Sequence, residues 1–226
     1  MPYREIANRV RELGLTLTAG LAVLALGVWA FAAIADEMAD GETGYDQAVA
    51  DWLHGRATNP LTELFEAITT LGNGIVLAGV TAIAAYLLLR RGHRREALLM
   101  VLAFAGAEIV SYSLKLGFRR DRPFFTDPLA SESTFSFPSG HSTVSLAVYG
   151  ALAVVIARRV SRPARLPWLA AAGVLVGLIG FSRLYLGVHF LTDVLAGFAA
   201  GAAWLAACVV TLDLHQRLRL RRQTSR

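Results

Sequence analysis

Charge and cysteine are both scarce in this chain of 226 residues, in which 17% of the residues are charged and one is a cysteine. A lone Cys208 excludes an intrachain disulfide and any cysteine-based metal cluster, and its place in an apolar run makes it a small core residue. So little charge, with 55% hydrophobic residues and a mean hydropathy of +0.49, excludes an ordinary soluble domain. The net charge of +5 does not point to a nucleic-acid partner, because the arginines sit between long apolar runs and form no single basic face. The solvent implied is a lipid bilayer.

The apolar runs divide the chain into six expected spans. A short basic segment, 1–12, leads into a run from Leu13 to Ala35, which is long enough to cross. That run is too long for the apolar part of a cleavable signal peptide, so it is expected to be retained. The acidic stretch from Asp36 to Asp51 and the Trp52 Leu53 pair read as a half-buried interfacial segment. Thr58 Asn59 Pro60 then starts a helix that keeps its apolar spacing to Gly72, and Ile75 to Leu89 forms the second span. The third covers Glu96 to Leu114, and Lys115 to Gly140, rich in Pro, Ser and Thr, reads as a loop with a little local helix. The fourth runs from Gly140 to Ala157, the fifth from Pro167 to about Phe181 and the sixth from His189 to about Leu214. The expected organisation is a membrane domain, 13–214, between basic cytoplasmic segments at 1–12 and 215–226.

Orientation follows from the cations. With the amino terminus in the cytoplasm, sixteen arginines fall on inside segments and six cations outside. An even number of spans puts both termini inside. Five of the six outside cations, all but Arg56, cluster near Lys115 and Arg183, so the polar sequence stretches share the outer face.

Three stretches end on that face. Lys115 with Arg122 and Pro123 pairs a point charge with a planar fork, a combination that can grip phosphate oxygens, or merely snorkel at the membrane edge. Pro138 Ser139 Gly140 His141 opens the fourth span, where free backbone N–H groups and the positive end of the helix dipole favour an anion; an ordinary serine cap is the plainer reading. Ser182 Arg183 precedes His189 and Asp193. If the chain is helical there, Asp193 lies one turn from His189, where its carboxylate reaches one ring nitrogen and leaves the other free to attack. A cluster that only pins helices together is the alternative.

In this order the spacings K-x6-R-P, P-S-G-H and S-R-x5-H-x3-D resemble the three signature motifs of the type 2 phosphatidic acid phosphatase superfamily. Every motif residue is present, and the six-span layout resembles the membrane branch of that family over nearly the whole chain. The resemblance implies an all-α bundle of six transmembrane helices with its active site at the outer, periplasmic boundary. It implies His189 as the nucleophile that forms a phosphohistidine, Asp193 as its orienting carboxylate and His141 as the acid that protonates the leaving oxygen. Lys115, Arg122 and Arg183, with Ser139 and the backbone N–H of Gly140, are implied to hold the phosphate. No cofactor and no metal are expected, in keeping with the lack of a carboxylate cluster spaced for magnesium. The expected substrate is a membrane lipid phosphate or diphosphate, first an undecaprenyl or other polyprenyl diphosphate. Phosphatidic acid, phosphatidylglycerol phosphate and lipid A are the alternatives.

The arginine-rich, lysine-poor composition associates the chain with a bacterial inner membrane. A vanadium haloperoxidase, which resembles this family in its anion cage, is disfavoured by the six spans. A non-catalytic scaffold is disfavoured by the intact motifs, and phosphotransfer to an acceptor other than water stays open. Outside the motifs, Asp121 is expected to pair with a neighbouring arginine, and Glu108 with Ser111, Tyr112 or Lys115. His54, His93 and His215 are expected to be solvated.

Overall fold

The structure is a computed structural model that describes residues 3–41 and 44–224, with side chains described for residues 14, 17–41 and 44–218. Eight helices follow one another in it: α1 (Tyr3–Ala39), α2 (Gly44–His54), α3 (Asn59–Thr70), α4 (Gly74–Arg90), α5 (Arg94–Phe118), α6 (Gly140–Ala157), α7 (Arg162–Tyr185) and α8 (Leu191–Thr224). Five contain stretches long and apolar enough to cross a bilayer, in α1, α5, α6, α7 and α8. The pair α3 and α4, bent by 43°, passes the same test jointly, which makes the number of candidate spans five or six.

The 17 residues of α4 reach only about 26 Å, short of a hydrocarbon core of ~30 Å, and α4 meets the test for a span only together with α3. A broken helix at membrane depth exposes backbone polar groups, and here they find partners. The Asn73 side chain caps α4 by accepting from the N–H of Ile75 at 2.9 Å, and the Tyr149 hydroxyl of α6 donates to the Leu71 carbonyl at 2.8 Å.

The core runs between α4, α5, α6 and α8, with Leu77, Met100, Ala103, Ala107, Val144, Val148 and Ala151 at its centre and Cys208 on its edge. Lipid is as apolar as these side chains, so close backbone approach rather than hydrophobic exclusion holds such helices together. Gly197 and Gly201 permit that approach between α8 and α6. A Cβ on Gly197 would stand 2.7 Å from the Ser139 carbonyl oxygen, and one on Gly201 2.5 Å from that of Thr143. At one end of the bundle the buried Asp213 accepts from both Arg95 and Arg158, tying α8 to the start of α5 and the end of α6. The opposite end gathers the end of α5, the start of α6, the end of α7 and the start of α8, which are the elements that carry the three motifs.

Several boundaries differ from those expected. The fifth span begins before Pro167, because Ser161 and an early proline at 163 start α7 one turn sooner and leave Pro167 inside the helix. Residues 119–139 contain no helix; their backbone is held by contacts to the site instead. The sixth helix starts at Leu191, so His189 precedes it. The stretch expected to be interfacial forms α2, a separate helix. The side chains of Arg4, Arg9 and Arg11 and of the tail beyond Leu218, used in the orientation count, lie outside the described residues.

Candidate active site

The corner between α7 and α8 sets the geometry. The helix α7 ends in a paired reverse of hydrogen bonds, from Gly187 N to Leu184 O at 3.0 Å and from Val188 N to Arg183 O at 3.2 Å, with Gly187 in the left-handed region at φ +68°. This termination ends α7 and leaves a short connection to α8 that carries His189. Asp193, in the first turn of α8, reaches backward to accept from the N–H of Phe190 at 2.9 Å, an N-terminal cap. The same oxygen, Oδ2, faces Nδ1 of His189 at 3.2 Å. The pairing expected from sequence therefore forms, although by a turn and a cap and not by a continuous helix. The backbone carbonyl of Asp193 accepts from Ser139 N at 2.9 Å, which joins this corner to the start of α6.

The tautomer of His189 follows from its neighbours. Nη1 of Arg122 lies 3.1 Å from Nε2 of His189, and a guanidinium can only donate, so Nε2 carries the lone pair and Nδ1 the proton held by Asp193. Burial and the charges of Arg122, Arg183 and Lys115 pull the His189 pKa well below its ordinary value. The imidazole is neutral and its free nitrogen points at cations.

Of the surrounding cations, Lys115 and Arg122 come from the first stretch and Arg183 from that of His189 itself. Arg122 is fixed by Nε to the Thr134 carbonyl and by Nη1 to the Val188 carbonyl, both at 2.6 Å, and so links the 119–139 loop to the His189 turn. Lys115, in the last turn of α5, is buried and donates to the Phe135 carbonyl. A Cβ on Gly140 would be 3.8 Å from Lys115 Cε, so the bare backbone at the start of α6 lies beside the ammonium stem. Arg183 is 4% exposed and donates to Thr69 at 2.9 Å and to the Glu132 carboxylate. His141 faces the same cluster and interacts electrostatically with Arg183, His189, Lys115 and Arg122. Ser139 is wholly buried; its Oγ accepts from Ser142 N at 3.4 Å and Ser142 Oγ at 3.1 Å, so it caps α6 as in the plainer reading of that stretch.

Phe137, fully buried against Phe31 of α1 and Phe118 of α5, fixes the turn into Pro138. An open cleft of about 450 Å³ borders the cage, lined by Tyr112, Lys115 and Leu116 of α5 and by loop residues that include Arg122 and Glu132. His189 and Asp193 are buried and do not line it. A neutral nucleophilic nitrogen beside a cage of three cations and a helix N-terminus is suited to attack on a phosphoryl centre.

All eight candidate residues named from sequence meet at this end. Some expectations do not hold. Asp121 makes no side-chain ion pair among the described residues, because its neighbour Arg120 is taken by Asp46 at 2.8 Å and by Asp193 at 2.6 Å. Glu108 makes no hydrogen bond to Ser111, Tyr112 or Lys115 among the described residues; it lies against Gly74 at the start of α4. His54 is not solvated: it stacks on Phe125 at 4.0 Å and meets Asp127 at 3.0 Å, while His93 and His215 are exposed. Sequence reading missed Arg120, Asp46, Thr192 and Glu132. Arg120 sits inside the K-x6-R-P window and was legible as a second arginine two residues before Arg122, but Asp46 is one acid among several in an acidic stretch.

The family model described as the PAP2 superfamily matches residues 96–217. Over 145 residues, 62% of this chain and 70% of the relative, the sequence is 39% identical to phosphatidylglycerophosphatase B of Bacillus subtilis. Over 159 residues, 68% of this chain and 71% of the relative, it is 27% identical to undecaprenyl-diphosphatase of Sulfolobus acidocaldarius. The crystal structure of a transmembrane PAP2 type phosphatidylglycerolphosphate phosphatase from Bacillus subtilis superposes with a TM-score of 0.72 and 31% identity, covering 84% of this chain and 93% of that one. Aquifex aeolicus LpxE shares the fold with a TM-score of 0.59 at 23% identity, covering 75% and 94% of the two chains. With its motif residues gathered at one end of a helical membrane bundle and this likeness in sequence and structure, the chain belongs to the PAP2 superfamily.

Proposed function

We propose that this membrane lipid phosphatase removes the terminal phosphate of a lipid through a covalent phosphohistidine on His189. The observation that carries the reading is the orientation of His189, with Nδ1 on Asp193 and Nε2 toward Arg122. In the first step the Nε2 lone pair forms the N–P bond while the bond from phosphorus to the lipid oxygen breaks, and protonated His141 gives that oxygen its proton. In the second step neutral His141 takes a proton from water, the hydroxide oxygen bonds to phosphorus, and the N–P electrons return to Nε2. Asp193 holds the Nδ1 proton throughout and stabilises the positive ring. Lys115, Arg122, Arg183 and the Gly140 N–H hold the phosphoryl oxygens, so charge is stabilised by fixed N–H donors. The hydroxyl of Ser139 keeps one hydrogen-bonding direction beyond its cap and completes that set.

Two substrate classes are supported. A glycerophospholipid phosphate monoester of the phosphatidylglycerol phosphate type is favoured by the relative of higher identity and by the structural neighbour of higher TM-score. A polyprenyl diphosphate, placed first by the sequence reading, is supported by the Sulfolobus acidocaldarius relative. Either enters from the bilayer beside Tyr112 and Leu116, which are exposed on α5 where the cleft opens. The α3–α4 pair is read as one bent span, which gives six spans, both termini in the cytoplasm and the site on the periplasmic side of a bacterial inner membrane. The membrane domain, 13–214, then lies between the basic segments 1–12 and 215–226.

The test is phosphate release by the detergent-solubilised protein with EDTA, across phosphatidylglycerol phosphate, undecaprenyl diphosphate, phosphatidic acid and a lipid A phosphate. Release from one of the first two that disappears in His189→Ala supports the reading. Turnover that persists in His189→Ala refutes it.

A further inference from the structure

Asp46 lies on α2, outside residues 96–217, and none of the steps above uses it. It is nonetheless among the most deeply buried charges of the described residues, 1% exposed, and its hydrogen bonds among them go to Thr192 and Arg120 beside Asp193. Its Oδ1 accepts from Thr192 N at 3.0 Å. Its Oδ2 accepts from the Thr192 hydroxyl and from Nη2 of Arg120 at 2.8 Å. Nη1 of Arg120 donates to Thr192 Oγ1 at 2.7 Å, which closes a ring, and to Asp193 Oδ1 at 2.6 Å. The guanidinium carbon lies over the Phe190 ring, 4.3 Å from its centroid, so it is held by a cation–π contact as well.

Asp193 has two oxygens with different duties. Oδ2 serves His189 Nδ1 and the Phe190 N–H, while Oδ1 accepts from Arg120, with the Ser136 hydroxyl a further donor beside the carboxylate. We infer that Asp46 and Arg120 form a positioning pair that sets the angle and charge of the Asp193 carboxylate during phosphohistidine formation, an inference that rests on the reading under Proposed function. One arginine serves two carboxylates, so the trio keeps a net negative charge to offset the ring as it turns positive. The planar fork of Arg120 anchored on Asp46 keeps Asp193 from rotating toward it and away from His189. If Asp46 is lost, Arg120 is free to pair with Asp193 alone, which neutralises that charge and draws Oδ2 off the imidazole. Asp46 is buried and does not line the cleft, and Arg120, at the cleft wall, spends its hydrogen bonds on Asp46, Thr192 and Asp193, so substrate affinity is expected to change little.

The experiment is a double-mutant cycle on the full-length, detergent-solubilised protein. Phosphate release and single-turnover phosphoenzyme formation are measured for wild type, Asp46→Asn, Asp193→Asn and the double variant, with His189→Ala as the control. Asp46→Asn is expected to lower kcat by roughly 10- to 100-fold, as loss of an orienting outer carboxylate does, with KM changed less than about threefold. In the Asp193→Asn background the same change is expected to have no further effect, since Asp46 acts through Asp193. Asp46→Glu, which can rebuild the pair with a small shift, is expected to recover part of the rate. Wild-type kcat in Asp46→Asn overturns the inference, and so does a loss that multiplies with that of Asp193→Asn.

Where Asp46→Asn does not give a folded protein, Arg120→Lys carries the same test. It keeps the charge between the two carboxylates but loses the fork, so kcat is expected to fall at constant KM, again without effect in Asp193→Asn. Failure of both variants to fold also overturns the inference, because the pair is then structural. Turnover that is the same in wild type and His189→Ala means instead that the phosphohistidine reading itself has failed.

Discussion

The sharpest single substitution is Arg122→Lys, which keeps the charge and removes the fork. Arg122 spends Nε on the Thr134 carbonyl and Nη1 on the Val188 carbonyl and on His189 Nε2, while Nη2 reaches Thr134 Oγ1 at 3.1 Å and the Phe135 carbonyl at 3.2 Å. A lysine has three donors at one point and cannot reach both the loop and the His189 turn. At least two charge-assisted bonds are lost, each worth about 1.5–3 kcal/mol. Water that enters the open side of the cleft recovers part of this in the resting enzyme. The part specific to the transition state, where the N–H near Nε2 passes to a phosphoryl oxygen, is expected to be about 2.7–4 kcal/mol, or a 10²- to 10³-fold loss in kcat. Steady-state phosphate release in detergent, with far-UV circular dichroism as a check on folding, measures it. A loss smaller than about fivefold would show that the positive charge alone does the work and would refute the argument from the fork.

Three further outcomes follow from the same geometry. Glu132 holds the edge of Arg183 that an incoming phosphate needs, so Glu132→Gln is expected to tighten competitive inhibition by orthovanadate roughly three- to tenfold, consistent with removing one charge-assisted bond; unchanged or weaker inhibition would place the anion elsewhere. Because the folded pKa of His189 lies well below the unfolded value of about 6.5, the unfolded chain takes up a proton that the folded one refuses. This contribution to stability is present above about pH 6.5 and is lost as pH falls toward the depressed folded value, so Tm is expected to drop more between pH 7 and 5 in wild type than in His189→Asn. Equal drops would assign the acid sensitivity to other groups. At the far end of the bundle, Asp213→Ala leaves Arg95 and Arg158 without their shared carboxylate and is expected to cost about 2 kcal/mol, between the exposed and buried limits, with kcat unchanged; thermal unfolding beside the activity assay checks both halves.

Much of the site was legible in the sequence, for reasons that particular residues make plain. Lys115, Ser139, Gly140, His141, Arg183, His189 and Asp193 stand at or near the ends of apolar runs, and alternating spans bring every such end to the same face. Arg122 and Pro123 lie only a few residues beyond. The departures are matters of long-range partnership. Asp46 and Asp193 are joined through Arg120 across long separations in the chain, and nothing local to Asp46 distinguishes it from Asp36, Asp40 or Asp51. Asp121 pairs with no neighbouring arginine among the described residues, because Arg120 already holds Asp46 and Asp193. His54 left the solvent because Phe125, in a loop without regular structure, covers its ring. The break between α3 and α4 falls at Gly72 Asn73 Gly74, but the Tyr149 hydroxyl that satisfies the freed Leu71 carbonyl comes from 78 residues away and shows only in the folded structure.

The central claim is that His189 becomes covalently phosphorylated. It is tested most directly by mixing enzyme with a substrate labelled in its terminal phosphate, quenching in denaturant at high pH, where phosphohistidine survives, and locating the label by mass spectrometry. The account predicts phosphate on His189 of the wild-type protein, increased in His141→Ala if its second step becomes slow, and none in His189→Ala. Label on another residue, or phosphate release by His189→Ala at the wild-type rate, would contradict it.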